Sequence, residues 1–281
     1  MAVLVCSCSN SEDPSLPESM DMIGEEEEEN DVDLPEIDLH NWKVTLPIGS
    51  PTEVEPPEIL DYPNIEILKK YMYPDPDDQS LVFYTEPGSS TTNSSYSRTE
   101  LREQMQPGSN KVNWTYDQGG TMTGKLKVER VSGQVGKLDR IIVMQIHGRL
   151  TDAQRDLIGN TDNNAPPVLK IYWDDGKIDV RRKILKDVNV TDTDLLKKES
   201  WKDESHLFDK EVGYDMFDLS IEVKGTVMKI SLSDEQTFTF DDIHTQKWGV
   251  FENYFKAGNY LQTSASGTFS EVKYYELEVI H

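Results

Sequence analysis

Three short runs in this 281-residue chain carry polar, reactive side chains at every second position. In "RTELREQ", an extended backbone sets Arg98, Glu100, Arg102 and Gln104 on one face and Thr99, Leu101 and Glu103 on the other. In "VMQIHG", Gln145 and His147 share a face with Val143, opposite Met144 and Ile146. In "YFKAGNYLQ", Tyr254, Lys256, Gly258, Tyr260 and Gln262 point one way, while Phe255, Ala257 and Leu261 point the other. A helical reading of the first run would stack Arg98 on Arg102 as a like-charge pair with no apolar stripe, so a strand fits better. Taken singly, each run is an ordinary solvated face or a satisfied structural group. Gathered on one sheet, they become a cationic surface suited to an extended chain that bears carboxylates. Arg offers a fork of donors and Gln an amide N–H, both matched to a planar anion. A phenol and an imidazole add groups able to move protons.

The elements that must position these residues are short and β-rich. "WKVTLPI" (42–48), "SLVFYTEP", "GTMTGKLKVERV" and "RIIVMQIHGRL" read as strands. "LKIYWDDGKIDVRRKI" is a hairpin signal around Asp-Asp-Gly, and "FDLSIEVKGTVMKISLSDEQTFTFD" holds further turns at Lys-Gly and Ser-Asp-Glu-Gln. "SGTFSEVKYYELEVIH" closes the chain as a strand. Residues 50–79 are a proline-containing excursion with a short helical turn near Ile65–Tyr71; 151–167 and 188–210 lack periodicity and read as long loops, one with a short helix. Many short strands, no sustained amphipathic helix and no internal repeat predict an all-β fold. The expected form is a two-sheet antiparallel sandwich, a β-jelly roll.

Residues 1–38 hold 13 acids and no Lys or Arg, against a formal net charge of −24 for the whole chain. That composition predicts a disordered acidic leader, and a single domain over 39–281 with a net charge of about −11. An acidic body argues against nucleic acid, whose binding draws on Lys and Arg, unless bases gather locally in a cleft. Both cysteines, Cys6 and Cys8, lie in the leader, so the body has no disulfide and no Cys-based metal site. No two of the five histidines stand at metal-ligand spacing, so no zinc site is expected. "MAVLVCSCSNSEDP" resembles the end of a bacterial lipoprotein signal with Cys8 as the lipidated residue. The other reading of that stretch is an incidental pair of cysteines in a polar tail. The first predicts a secreted, outer-membrane or cell-surface lipoprotein anchored through Cys8.

"RTELRE", "QIH" and "YFKAGNYLQ", in this order, resemble the three signature strands of the alginate lyases of polysaccharide lyase family 7. "WKVTLPI" and "SEVKYYELEVIH" are similar to that family's first and last strands, so the resemblance spans roughly 39–281. It implies a jelly roll with a concave substrate cleft and metal-independent β-elimination of alginate, without cofactor; the chain is expected to act as a monomer. Carried onto this chain, it implies that Arg98, Gln145 and His147 surround the substrate carboxylate and that Tyr260 protonates the leaving oxygen. The same resemblance implies that Tyr260 also serves as the base for mannuronate, and His147 as the base where the C5 proton lies on the other ring face, as in guluronate. Glu100, Arg102, Tyr254, Lys256 and Gln262 match cleft positions, with Glu100 expected to hold the two arginines by ion pairing. Ile146, between Gln145 and His147, is a family correlate of activity on guluronate-containing substrate. The competing readings are a non-catalytic uronate-binding protein on the same fold and a lyase for another polyuronate such as glucuronan.

Overall fold

The computed structural model describes residues 34–90, 94–132, 140–233 and 235–281. Cys6, Cys8 and nearly all of the expected acidic leader therefore lie outside the described residues. Fifteen strands are formed among the described residues: β1 (Trp42–Leu46), β2 (Thr52–Val54), β3 (Met72–Asp75), β4 (Ser80–Thr85), β5 (Arg98–Glu103), β6 (Gly120–Val131), β7 (Arg140–Arg149) and β8 (Asn164–Asp174) come first. β9 (Lys177–Leu185), β10 (Trp201–Glu211), β11 (Phe217–Lys224), β12 (Val227–Leu232), β13 (Gln236–Phe240), β14 (Glu252–Leu261) and β15 (Ser270–Ile280) follow. They form two antiparallel sheets, ordered β10-β9-β8-β7-β14-β5-β1-β2 and β13-β12-β11-β6-β15-β4-β3. This is the expected jelly-roll sandwich.

Alternation explains which face each strand buries. In β1, Trp42, Val44 and Leu46 enter the core, and Lys43 and Thr45 stand on the outer face of the eight-stranded sheet. In β14, Phe255, Ala257 and Leu261 enter the same core. Trp114, wholly buried, seals one end; its ring lies 4.9 Å from Phe255, and its backbone exchanges two hydrogen bonds with Asn253. The β8–β9 hairpin turns through Asp175 and Gly176, both at positive φ, as an Asp-Gly hairpin requires.

Two expectations need correction. The helical turn of the 50–79 excursion is a 3-10 segment at Glu58–Asn64, while 65–71 are successive turns. Within 188–210, only a short helix (Asp192–Leu195) and a 3-10 turn precede β10, which is a full strand from Trp201. β10 is the edge of its sheet, and an edge strand need not alternate apolar and polar residues; its Lys, Asp and Glu residues are the charges that discourage edge-to-edge pairing.

Candidate active site

β7, β14 and β5 are consecutive in the eight-stranded sheet, so the three polar runs lie side by side at its centre. Tyr254 stands opposite His147 and Lys256 opposite Gln145. Across the other edge of β14, Lys256 faces Arg102, Gly258 faces Glu100 and Tyr260 faces Arg98.

Two bulges adjust this alignment. Ala257 pairs with Met144 but Tyr260 with Ile142, so β14 carries one extra residue there, at Gly258–Asn259. Against β8, Val143 is the extra residue of β7. Val143 consequently joins Met144 and Ile146 in the core instead of sharing the outer face with Gln145 and His147. Gly258 has φ +135°, and a Cβ there would lie 2.7 Å from the Thr99 carbonyl oxygen and 3.0 Å from Glu100 Cα. The glycine serves both a bulge and close backbone approach by β5. Gly258→Ala is expected to destabilise the fold by about 1–3 kcal/mol and to lower activity further, because it displaces Glu100 and Tyr260 together. Thermal melting and initial rates, compared on one preparation, check this.

Both bulges are tied to one group on the opposite sheet. The Tyr274 phenol, fully buried on β15, donates to the Val143 carbonyl (2.6 Å) and accepts from the Gly258 amide (3.1 Å).

Glu100, 1% exposed, is the acceptor at the centre of the site. It takes short hydrogen bonds from the Lys256 ammonium and the Gln145 amide, and the Arg98 guanidinium lies 3.5 Å away. Arg102 does not join it, contrary to the expected pairing of both arginines. Instead Arg102 donates to the Glu103 carbonyl (2.8 Å), the Asn110 carbonyl (3.1 Å) and Asn113 Oδ1 (2.8 Å). Its guanidinium caps the Tyr254 ring at 4.1 Å, and Tyr254 in turn stacks on His147 at 5.3 Å.

His147 is neutral. Burial, followed by the positive charge of Lys256, pushes its imidazole down to about 3. Its Nδ1 lies 2.8 Å from the Gly148 carbonyl, which can only accept, so Nδ1 carries the proton and Nε2 keeps a bare lone pair. Lys256 is pushed down to about 8 by burial, against the opposing pull of Glu100. Its positive charge is therefore lost as pH rises through about 8. Affinity for an anionic oligosaccharide is expected to weaken above that pH, and Lys256→Arg, always charged, to extend tight binding to higher pH. Titrating product-oligosaccharide affinity against pH in both proteins checks it.

Arg98, Gln145, His147, Tyr254 and Tyr260 line one cavity of about 350 Å³. The segments 50–79, 151–167 and 188–210 each contribute to its wall: Pro51 and Glu53 from the first, Asn164 and Pro167 from the second, Lys198 from the third. A second cavity of about 460 Å³ shares Thr45, Glu53, Asn164 and Tyr254 with it and adds Lys43, Arg102, Arg149 and Lys256. The two form a groove lined with cations. Arg98 lies over the Tyr260 ring at 4.4 Å, and the Tyr260 hydroxyl meets Ser94 Oγ at 2.7 Å.

Gln262 lines neither cavity; its amide folds back onto the Tyr260 carbonyl (3.2 Å). Lys43, Thr45 and Lys170 are cavity residues that sequence reasoning passed over. The signal was present, since Lys43 and Thr45 alternate with Trp42, Val44 and Leu46, and Lys170 with Leu169 and Ile171. Ser94 and Lys198 sit outside regular strands and gave no such signal.

A two-sheet antiparallel sandwich that gathers arginine, an amide, an imidazole and a phenol in one cationic groove has the arrangement of a polysaccharide lyase. The alginate lyase family profile matches residues 37–281, and the chain belongs to the alginate lyases of polysaccharide lyase family 7. It is similar to alginate lyase A1-II′, described as a member of that family, at 30% identity over 87% of this chain and 96% of that one, with a TM-score of 0.70. A variant of A1-II′ in complex with a GGG product gives the same identity, coverage and TM-score. An alginate lyase from Pseudomonas aeruginosa shares the fold at 21% identity, covering 87% of this chain and 99% of that one, with a TM-score of 0.64. No curated relative of the chain is found by sequence.

Proposed function

We propose that this polysaccharide lyase cleaves alginate by β-elimination and accepts guluronate-containing as well as mannuronate-containing chains. The observation that carries this reading is the single cavity in which Arg98 and Gln145 stand with two separate proton-transfer groups, Tyr260 and neutral His147. Arg98 and Gln145 neutralise the uronate carboxylate, so that negative charge can build on it when the C5 proton leaves. Preorganised donors of this kind are commonly worth ~10²–10³ in rate each. The C5 electron pair moves toward the carboxylate and then forms the C4–C5 double bond as the C4–O bond breaks. Tyr260 gives its proton to the departing oxygen. The products are a new reducing end and an unsaturated uronate.

Epimers at C5 present that proton on opposite ring faces, and two bases serve the two cases. For mannuronate, Tyr260 takes the proton it later returns; for guluronate, Nε2 of His147 takes it. Support comes from the free lone pair on Nε2 and from a double variant of alginate lyase A1-II′ in complex with the substrate GGMG, 29% identical over 86% of this chain and 93% of that one. Ile146 lies in the core, so its correlation with guluronate activity acts only through the placing of Gln145 and His147. Incubation with polyguluronate, polymannuronate and glucuronan, following ultraviolet absorbance of the unsaturated product, tests the reading. Product from both alginate blocks and none from glucuronan is expected. Product from polymannuronate alone would remove guluronate from the substrate range, and product only from glucuronan would overturn the assignment to alginate.

A further inference from the structure

Ser94 lies on the segment leading into β5 and is only 7% exposed. Its hydroxyl touches two oxygens: the Tyr260 phenol at 2.7 Å and the Tyr96 backbone carbonyl at 2.9 Å. A serine hydroxyl has one proton to give and lone pairs to receive, and a carbonyl can only receive. With the serine proton on the Tyr96 carbonyl, the contact to Tyr260 has one possible sense: the phenol donates and Ser94 accepts. Once the phenol has lost its proton, that sense is forbidden, because a phenolate can only accept. A single rotation of the serine hydroxyl then turns its proton from the carbonyl to the phenolate.

We infer that Ser94 is a positioning residue whose hydroxyl reverses its hydrogen bond with each change in the protonation of Tyr260, favouring the phenolate that abstracts the C5 proton. This rests on the reading of Tyr260 as the proton-transfer group. Ser94 neither receives nor passes on a proton; it supplies one hydrogen bond to whichever form Tyr260 holds. The reversal trades two neutral hydrogen bonds, phenol to serine and serine to the Tyr96 carbonyl, for one bond to an ionised acceptor. That bond is the stronger kind, and the part-buried carbonyl can turn to water in exchange, so the balance favours the charged form by less than the full bond. The charged and titratable groups around Tyr260 are Arg98 over its ring from β5, Glu53 from β2, Tyr172 and Lys170 from β8, His147 from β7, Lys198 from the connection before β10, and Tyr254 and Lys256 on its own strand. Ser94→Ala leaves all of them in place.

The test is the pH dependence of kcat/KM on polymannuronate, where Tyr260 takes and returns the proton. Ser94→Ala is expected to move the acid limb of the profile to higher pH by roughly half a unit, the scale of a charge-assisted bond less the carbonyl bond given up for it. Activity at a fixed pH on that limb falls by about threefold, recovers as pH rises, and KM changes by less than about twofold. Ser94→Thr, which keeps the hydroxyl, should restore the wild-type limb. A merely structural Ser94 would instead give a loss uniform across pH. An acid limb at the wild-type position in Ser94→Ala and in Ser94→Gly overturns the inference. Tyr260→Phe separates the two readings: if it is inactive while the Ser94→Ala limb stays put, only the role of Ser94 falls. If Tyr260→Phe remains active, the role of Tyr260 falls and takes that of Ser94 with it.

Discussion

Tyr260→Phe is expected to lower kcat by roughly 10³-fold or more, since in the mechanism proposed above one phenol acts on mannuronate first as base and then as acid, and each such role commonly contributes 10²–10⁴. The substitution keeps the ring beneath the Arg98 guanidinium, which stands 4.4 Å from its centre, and removes only the hydroxyl that meets Ser94. Binding groups on β5, β7 and the rest of β14 are untouched, so affinity for an alginate oligosaccharide should stay within a fewfold of the parent. Single-turnover rates and calorimetric titration on one preparation separate the two quantities. Turnover near the parental level would remove Tyr260 from the chemistry, and a matching collapse of affinity would make it a binding residue instead.

The largest effect on folding is expected from Glu100→Ala. Glu100 is the common acceptor for Lys256, Gln145 and Arg98, and both it and Lys256 are almost fully buried. Breaking a buried ion pair by removing one partner commonly costs about 3–5 kcal/mol, because the surviving charge stays buried without compensation. The loss should depend on pH in a definite sense. Native Lys256 gives up its proton near pH 8, whereas the unfolded chain keeps that proton to about 10.5. Between those values the unfolded state binds more protons, so the contribution of this group to stability rises with pH. A neutral amine no longer needs the carboxylate. The difference between parent and variant is therefore widest below pH 8 and narrows by pH 9 to 10. Denaturant unfolding at pH 7 and pH 9.5 measures it, and equal stability of the two proteins at pH 7 would contradict the role given to Glu100.

Much of the site was legible because its residues obey a period of two. Arg98, Gln145, His147, Tyr254, Lys256 and Tyr260 are chemically conspicuous at alternate positions, and an extended backbone places them on one face. The jelly roll followed from many short strands and frequent turns. What escaped depends on partners distant in sequence. Val143 was assigned to the wrong face because a bulge is decided by how two strands meet, not by either strand alone. Sequence alone offers Arg102 the acid on its own face, Glu100, whereas its acceptors are the Glu103 backbone carbonyl and two groups from the connection at 110–113. Ser94 lies in a run of Ser and Thr with no periodicity to mark it, and β10 is an edge strand whose composition resembles a loop. Gln262 continues the alternation of β14 but stands one residue beyond the strand, where the chain turns its amide back on itself.

The Tyr274 phenol gives the sandwich a property beyond shelter for its core. Because one hydroxyl reaches across the interior and grips the irregular points of both β7 and β14, the spacing between the layers sets the pitch of the catalytic groups. The catalytic layer cannot be treated as an interchangeable plate. Gly124 on the far layer lies against the same region: a Cβ there would press on the flexible methyl end of Met144 and reach ordinary contact with Tyr274. Transplanting the groove onto another sandwich would have to carry Tyr274 with it, and drift in either layer is constrained by the other.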